Sequence, residues 1–221
     1  MTLQNGQVVS EPVAGHLYTL GLDWGRKVDY TVVAVVDASV KPARLVYLQR
    51  WQGPGWETQA REVAAICARF QPWRILADGN SIGDPLAETL QTEIRNAAPI
   101  LQTSGDGWTG GRVPTVERFT FGAESKGKLV DRLTLGLSSR SLQYPAHRVL
   151  LSELRGFEYG TAGASGRAKM GAKSGAHDDT VIALALAWWA APEGPPPSMR
   201  QRVLLRSQLG IVRRAASLST R

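Results

Sequence analysis

The stretch HLYTLGLDWGRKVDYTVVAVVD, residues 16–37, holds two runs of β-branched and aromatic residues separated by GRKVD. That is the pattern of a β-hairpin. ARLVYLQRW (43–51) reads as a third strand. After the breaker GPG (53–55) the apolar spacing lengthens to that of a helix in ETQAREVAAICARF (57–70), then WRILAD (73–78) is a short buried strand. DPLAETLQTEIRN (84–96) gives a second helix with Pro85 in its first turn, and APILQT (98–103) reads as a fifth strand. The expected order is βββαβαβ.

A Gly-rich connection, SGDGWTGGRVP (104–114), leads to a third helix from about Ser125, SKGKLVDRLTLGL, and to a shorter amphipathic one, HRVLLSELRGF. FEYGTAGASGRAKMGAKSGAHDD (157–179) has two extended pieces around a Gly-rich middle and predicts a hairpin. In an extended strand Arg167, Lys169 and Lys173 share one face, opposite Ala168, Met170 and Ala172. The last helix, VIALALAWWAA (181–191), has no polar face, which predicts burial.

The hydrophobic content of 43% suffices for a core, and the single cysteine, Cys67, excludes a disulfide framework or a cysteine metal site. Six of the seven net positive charges reside in the tail: residues 198–221 hold six arginines and no acid. Any nucleic-acid surface on the body must therefore come from local clusters. No segment reads as a signal peptide or membrane span, so the expectation is a cytoplasmic protein.

Two aspartates, Asp178 and Asp179, stand at the head of the apolar helix. A cap needs only one carboxylate, and a buried pair of anions calls for a counter-charge. Asp23 ends the first strand and Asp78 the fourth, and strand ends are where α/β sheets hold ligands. Each alone is weak evidence, since an aspartate at a strand end is usually a turn residue. The first and fourth strands have chain enough between them to lie side by side in parallel, which would gather all four carboxylates. Oxygen-only ligands select Mg²⁺ or Mn²⁺. Two such ions about 4 Å apart activate water and stabilise the leaving oxygen of a phosphodiester. Consecutive helical residues point about 100° apart, so one of Asp178 and Asp179 is expected to ligate and the other to cap.

GLDWGRKVDYTVV, ILADGNSIGDPLAE, SKGKLVDRL and HDDTVIALALAWW, in the order βββαβαβα, resemble the nuclease domain of the large terminase subunit of tailed bacteriophages. The resemblance covers about residues 16–192 and implies an α/β, ribonuclease H-like fold: a central mixed five-stranded sheet flanked by helices, with an added hairpin before the last helix. It implies a metal-dependent endonuclease that cuts concatemeric viral double-stranded DNA in the host cytoplasm. Asp23, Asp78, Asp178 and Asp179 would be catalytic and hold two ions of Mg²⁺ or Mn²⁺. Arg26, Lys126, Arg167, Lys169 and Lys173 are the expected DNA contacts. The implied partners are a packaging ATPase domain of the same polypeptide, the portal and the small terminase subunit. Residues 1–15 would be a linker remnant and 193–221 a Pro-rich linker with a basic tail.

Rival readings share some of these features. GRAKMGAKS misses the phosphate-binding loop pattern because Ala172 separates Gly171 from Lys173. ESK (124–126) fits half of another nuclease motif without its paired aspartate. His177 reads either as a proton-transfer aid or as polar surface. A Holliday-junction resolvase, an integrase-like nuclease and a non-catalytic DNA-binding or motor-docking module remain alternatives.

Overall fold

The computed structural model describes residues 2–4, 7–25, 29–53, 55–80, 83–102, 114–159, 170–172 and 177–194. Its centre is the predicted hairpin: β3 (Tyr18–Asp23) pairs antiparallel with β4 (Thr31–Asp37), which pairs antiparallel with β5 (Ala43–Trp51). On the other side of β3 lies β6 (Arg74–Asp78), parallel to it, then β7 (Val116–Phe119), parallel to β6. The expected neighbourhood of first and fourth strands is therefore present.

Alternation along β3 divides the core. Tyr18, Leu20 and Leu22 face α1 (Trp56–Phe70) and α2 (Gly83–Gln102), packing with Val63, Phe70, Leu90 and Ile94. Thr19 and Gly21 face α5 (Asp179–Ala190), which is buried nearly all round. Leu129 and Leu133 of α3 (Ala123–Ser138) and Leu150 of α4 (Arg148–Gly156) join the α5 side.

Three sequence expectations are corrected. APILQT is not a strand, because α2 runs on to Gln102 and the fifth core strand is β7. The face Leu86, Leu90, Ile94 and Ala97 continues at helical steps where a short apolar run looked like a strand. β7 is an edge strand with largely half-buried side chains, so it lacks an apolar run. Its register is reinforced by the two hydrogen bonds from Arg74 to Glu117, at 3.2 and 2.8 Å.

Residues 1–15 are not merely a linker. β1 (Thr2–Gln4) and β2 (Gln7–Val9) form an antiparallel pair that extends the sheet beyond β5, with Val8 fully buried. β8 (Leu142–Gln143) also pairs with β5, making an eight-stranded sheet in place of the expected five. The Asn5-Gly6 step between Gln4 and Gln7 is, in the sequence, a strong hairpin signal. The hairpin before the last helix is present as β9 (Phe157–Tyr159) and β10 (Met170–Ala172). Among the described residues no helix is long and apolar enough to cross a membrane.

Candidate active site

The sheet register brings Asp23 and Asp78 together. The parallel ladder pairs Leu22 with Ala77, so the next residues on both strands are opposite one another. Leu22 and Ala77 face the α1/α2 core, which turns Asp23 and Asp78 to the α5 side. Alternation at two strand ends thus points both carboxylates the same way.

The helix delivers the other two. α5 runs antiparallel to β3: Thr19 donates to the Ala187 carbonyl at 2.7 Å, and Gly21 lies against Ala183. A Cβ at Gly21 would fall 2.1 Å from the Ala183 oxygen and 2.3 Å from the Ala187 nitrogen, so glycine is what permits this approach. Four helical residues rise about 6 Å and two strand residues about 6.6 Å. Stepping from Ala183 to Asp179 therefore keeps pace with stepping from Gly21 to Asp23. The helix head arrives beside the strand ends.

Asp23, Asp29, Asp78, Asp178 and Asp179 line one open cleft of about 250 Å³, with Trp24, Phe121, Lys126, His177 and Ile182. Burial pushes the Asp23 carboxyl well above the usual carboxylate range, and repulsion from Asp78, Asp179 and Asp178 adds to it, while Lys126 opposes. Burial also raises Asp179, to about 6; the Tyr30 N–H opposes, Glu153 adds, His177 opposes and Asp29 adds. The cleft holds more negative charge than its own cations balance.

The neighbours of each carboxylate differ. Asp78 Oδ1 accepts from the Asn80 amide at 2.8 Å, and the Asn80 side chain donates to the Phe121 carbonyl at 2.7 Å and accepts from the Phe121 amide at 2.9 Å. This clasp ties the end of β6 to the start of α3, whose first turn carries Lys126. Lys126 Nζ lies 3.7 Å from Asp178 Oδ2. Asp179 Oδ2 accepts from the Tyr30 amide at 3.2 Å and lies 3.5 Å from His177 Nδ1.

The expected division of labour at the helix head is corrected. Asp178 occupies the N-cap position, but its side chain makes no cap hydrogen bond. Neither aspartate caps. Glu153 of α4 does so instead: its Oε2 accepts from the Thr180 amide at 2.8 Å and from the Thr180 hydroxyl. Sequence reasoning missed Glu153, and it missed Asp29, whose Oδ1 lies 3.6 Å from His177 Nδ1. Asp29, His177 and Asp179 place potential ligand atoms within 4.8 Å of one another. Asp29 could have been noticed as a carboxylate in the turn that returns the chain to the Asp23 end of the hairpin.

β10 passes over the same place, since a Cβ at Gly171 would stand 3.1 Å from Asp178 Oδ2. Gly171 also has φ +153°, a conformation that favours glycine. Arg26, Arg167, Lys169 and Lys173, expected as DNA contacts, lie outside the described residues. Cys67 is buried in α1, far from this chemistry in role: burial pushes its thiol up and leaves it a packing residue.

The chain is 29% identical over 181 residues to the large terminase subunit of Thermus virus P23-45, covering 82% of this chain and 33% of that protein. It thus spans about a third of the length of that relative. The crystal structure of the large terminase nuclease from thermophilic phage G20c superposes with a TM-score of 0.67 at 26% identity, over 86% of this chain and 90% of that one. The same nuclease with bound magnesium gives 0.67 at 26% identity, over 86% and 89%, and with bound cobalt 0.66 at 25%, over 86% and 89%. A family model for the terminase RNaseH-like domain matches residues 20–190, and the chain belongs to that family.

Proposed function

We propose that this domain is a divalent-metal-dependent endonuclease that cuts double-stranded concatemeric DNA during viral genome packaging, with little sequence preference. The observation that carries the reading is the convergence of Asp23 and Asp78 from in-register strand ends with Asp178 and Asp179 from one helix head. So dense a set of carboxylates, in which burial and then repulsion from Asp78, Asp179 and Asp178 raise Asp23, fits cations. Its oxygen donors suit Mg²⁺ or Mn²⁺, with the His177 nitrogen at the Asp29 edge. The G20c nuclease, solved with bound magnesium, supports the same choice.

Asp23, Asp78, Asp178 and Asp179 would hold two ions, which supply an activated water and charge stabilisation for in-line phosphodiester hydrolysis. Asp179, held by the Tyr30 amide, and Asp23, which lines the same cleft, would set where the phosphate lies. Lys126 faces the same space and would bind a phosphate oxygen of the cut strand. His177 Nδ1, 3.6 Å from Asp29 and 3.5 Å from Asp179, would help to orient both carboxylates. The basic residues Arg167, Lys169 and Lys173, and Arg26 after β3 in the sequence, would grip the backbone alongside. In the whole subunit a packaging ATPase domain would feed the DNA, with portal and small subunit as partners in the host cytoplasm.

Cleavage of plasmid DNA titrated with Mg²⁺ and with Mn²⁺ tests this. Asp23→Asn and Asp78→Asn are each expected to lower the rate by several orders of magnitude while the domain stays folded. Cutting near the wild-type rate by either variant at millimolar Mg²⁺ would overturn the assignment.

A further inference from the structure

The helix head that presents Asp178 and Asp179 is anchored in an inverted way. An N-cap aspartate ordinarily turns its side chain back onto the free amides of its own first turn. Here Asp178 has the position and withholds the side chain, which lies 3.7 Å from Lys126. Glu153, 27 residues upstream on α4, performs the task with one oxygen shared between the Thr180 amide and hydroxyl. Glu153 is only 8% exposed, and a carboxylate buried to that degree is costly unless its bonds are well made. A chain that only needed a capped helix had Asp178 in place already. Glu153 is also absent from the cleft lining, so it is not placed to be a ligand itself.

We infer that Glu153 is a positioning residue: by capping α5 through Thr180 it releases Asp178 and Asp179 from capping and fixes the rotation at which both carboxylates face the cleft. The inference rests on the metal-site reading above. Without Glu153, Asp178 has two vacant donors within its own helix turn to compete with the cleft for its oxygens. Groups that orient ligands in this manner typically change metal affinity by about 10- to 100-fold when removed.

Mn²⁺ binding to the metal-free protein, followed by titration calorimetry and by electron paramagnetic resonance of the free ion, tests it without any cleavage assay. Glu153→Ala is expected to bind Mn²⁺ about 10- to 100-fold more weakly than wild type while its near-UV circular dichroism shows a folded domain. Glu153→Gln keeps an oxygen that can accept from Thr180 and is expected within about threefold of wild type, whereas Glu153→Met, of similar volume but with no acceptor oxygen, is expected to lose affinity as the Ala variant does, a loss that packing alone does not predict. Should Glu153→Ala fail to fold, Glu153→Asp decides, since it keeps the charge but shortens the reach to Thr180. Its expected loss is several-fold in Mn²⁺ affinity. Wild-type affinity in the folded Ala or Asp variant overturns this inference alone. A wild-type protein whose Mn²⁺ binding is indifferent to Asp23→Asn overturns the metal-site reading and this inference with it.

Discussion

Asp179→Asn is expected to make the metal-free protein more stable and the metal-loaded protein less so. The wild-type carboxyl is raised from 3.8 to about 6, with burial the largest cause. At about 1.36 kcal/mol per pH unit, that gap converts to roughly 3 kcal/mol of unfavourable ionisation at neutral pH. The cleft is open to water, which screens the charge, so about 1 kcal/mol is the realistic gain on neutralising it. For a chain of this length about 1 kcal/mol raises the melting temperature by roughly 2–4 °C. Asparagine keeps an oxygen for the Tyr30 amide, so the Asp179 contact that fixes the turn need not be lost.

The pH dependence has a definite sign. The folded state holds the Asp179 proton more tightly than the unfolded chain, so this group contributes stability below about pH 4 that is lost as pH rises through about 6. Asp23, raised for the same first reason, contributes in the same direction. The wild-type minus variant difference in melting temperature should therefore be near zero at pH 4 and negative at pH 7.5. Metal reverses the order at neutral pH. At a hundred times the dissociation constant a bound ion stabilises the folded state by about 2.7 kcal/mol. A variant whose affinity has fallen a hundredfold gains only about 0.4 kcal/mol from the same solution. Thermal melts in chelator and in excess Mn²⁺, at pH 4 to 8, check the crossing. A variant that melts below wild type in chelator at pH 7.5, or that gains as much from Mn²⁺, refutes the reasoning.

Two other substitutions probe the geometry. Gly21→Ala should cost more than about 4 kcal/mol or prevent folding, because the new Cβ meets backbone atoms of α5 at 2.1 and 2.3 Å. Urea unfolding measures it, and a soluble variant of near wild-type stability would contradict the close strand–helix approach. Lys126→Ala should weaken DNA binding on all sequences alike and lower the slope of log K against log salt by about 0.9, the value for one phosphate contact. An unchanged slope in binding assays at several salt concentrations would leave Lys126 as a partner of Asp178 only.

What the sequence revealed and what it hid divides by the distance over which each signal acts. The β3–β4 hairpin was legible because β-branched runs and a polar turn carry their meaning within a few residues. Connection length allowed the parallel placement of β6 beside β3, and the sheet realises it, bringing Asp23 and Asp78 together. β7 hid because an edge strand has less apolar surface to bury, and α2 overran its expected end because its apolar face persisted. Glu153 had no local mark at all, and Asp29 only a faint one: a glutamate on an amphipathic helix and a turn aspartate are ordinary residues until α5 docks beside them.

The doubled aspartate shows how such a distant contact can reverse a correct local rule. Locally, Asp178 at the start of a helix is best read as its cap, and its backbone does occupy that position. The assignment of its side chain is decided instead by Glu153, which satisfies Thr180 from another helix. Capping and ligation compete for the same oxygens, so a site that needs both carboxylates facing outward must satisfy the helix head from elsewhere. The structure places a buried acceptor at that head, and this separates the task of ending the helix from that of lining the cleft. That separation explains why two adjacent aspartates can stand at the head of an apolar helix without either being spent on the helix itself.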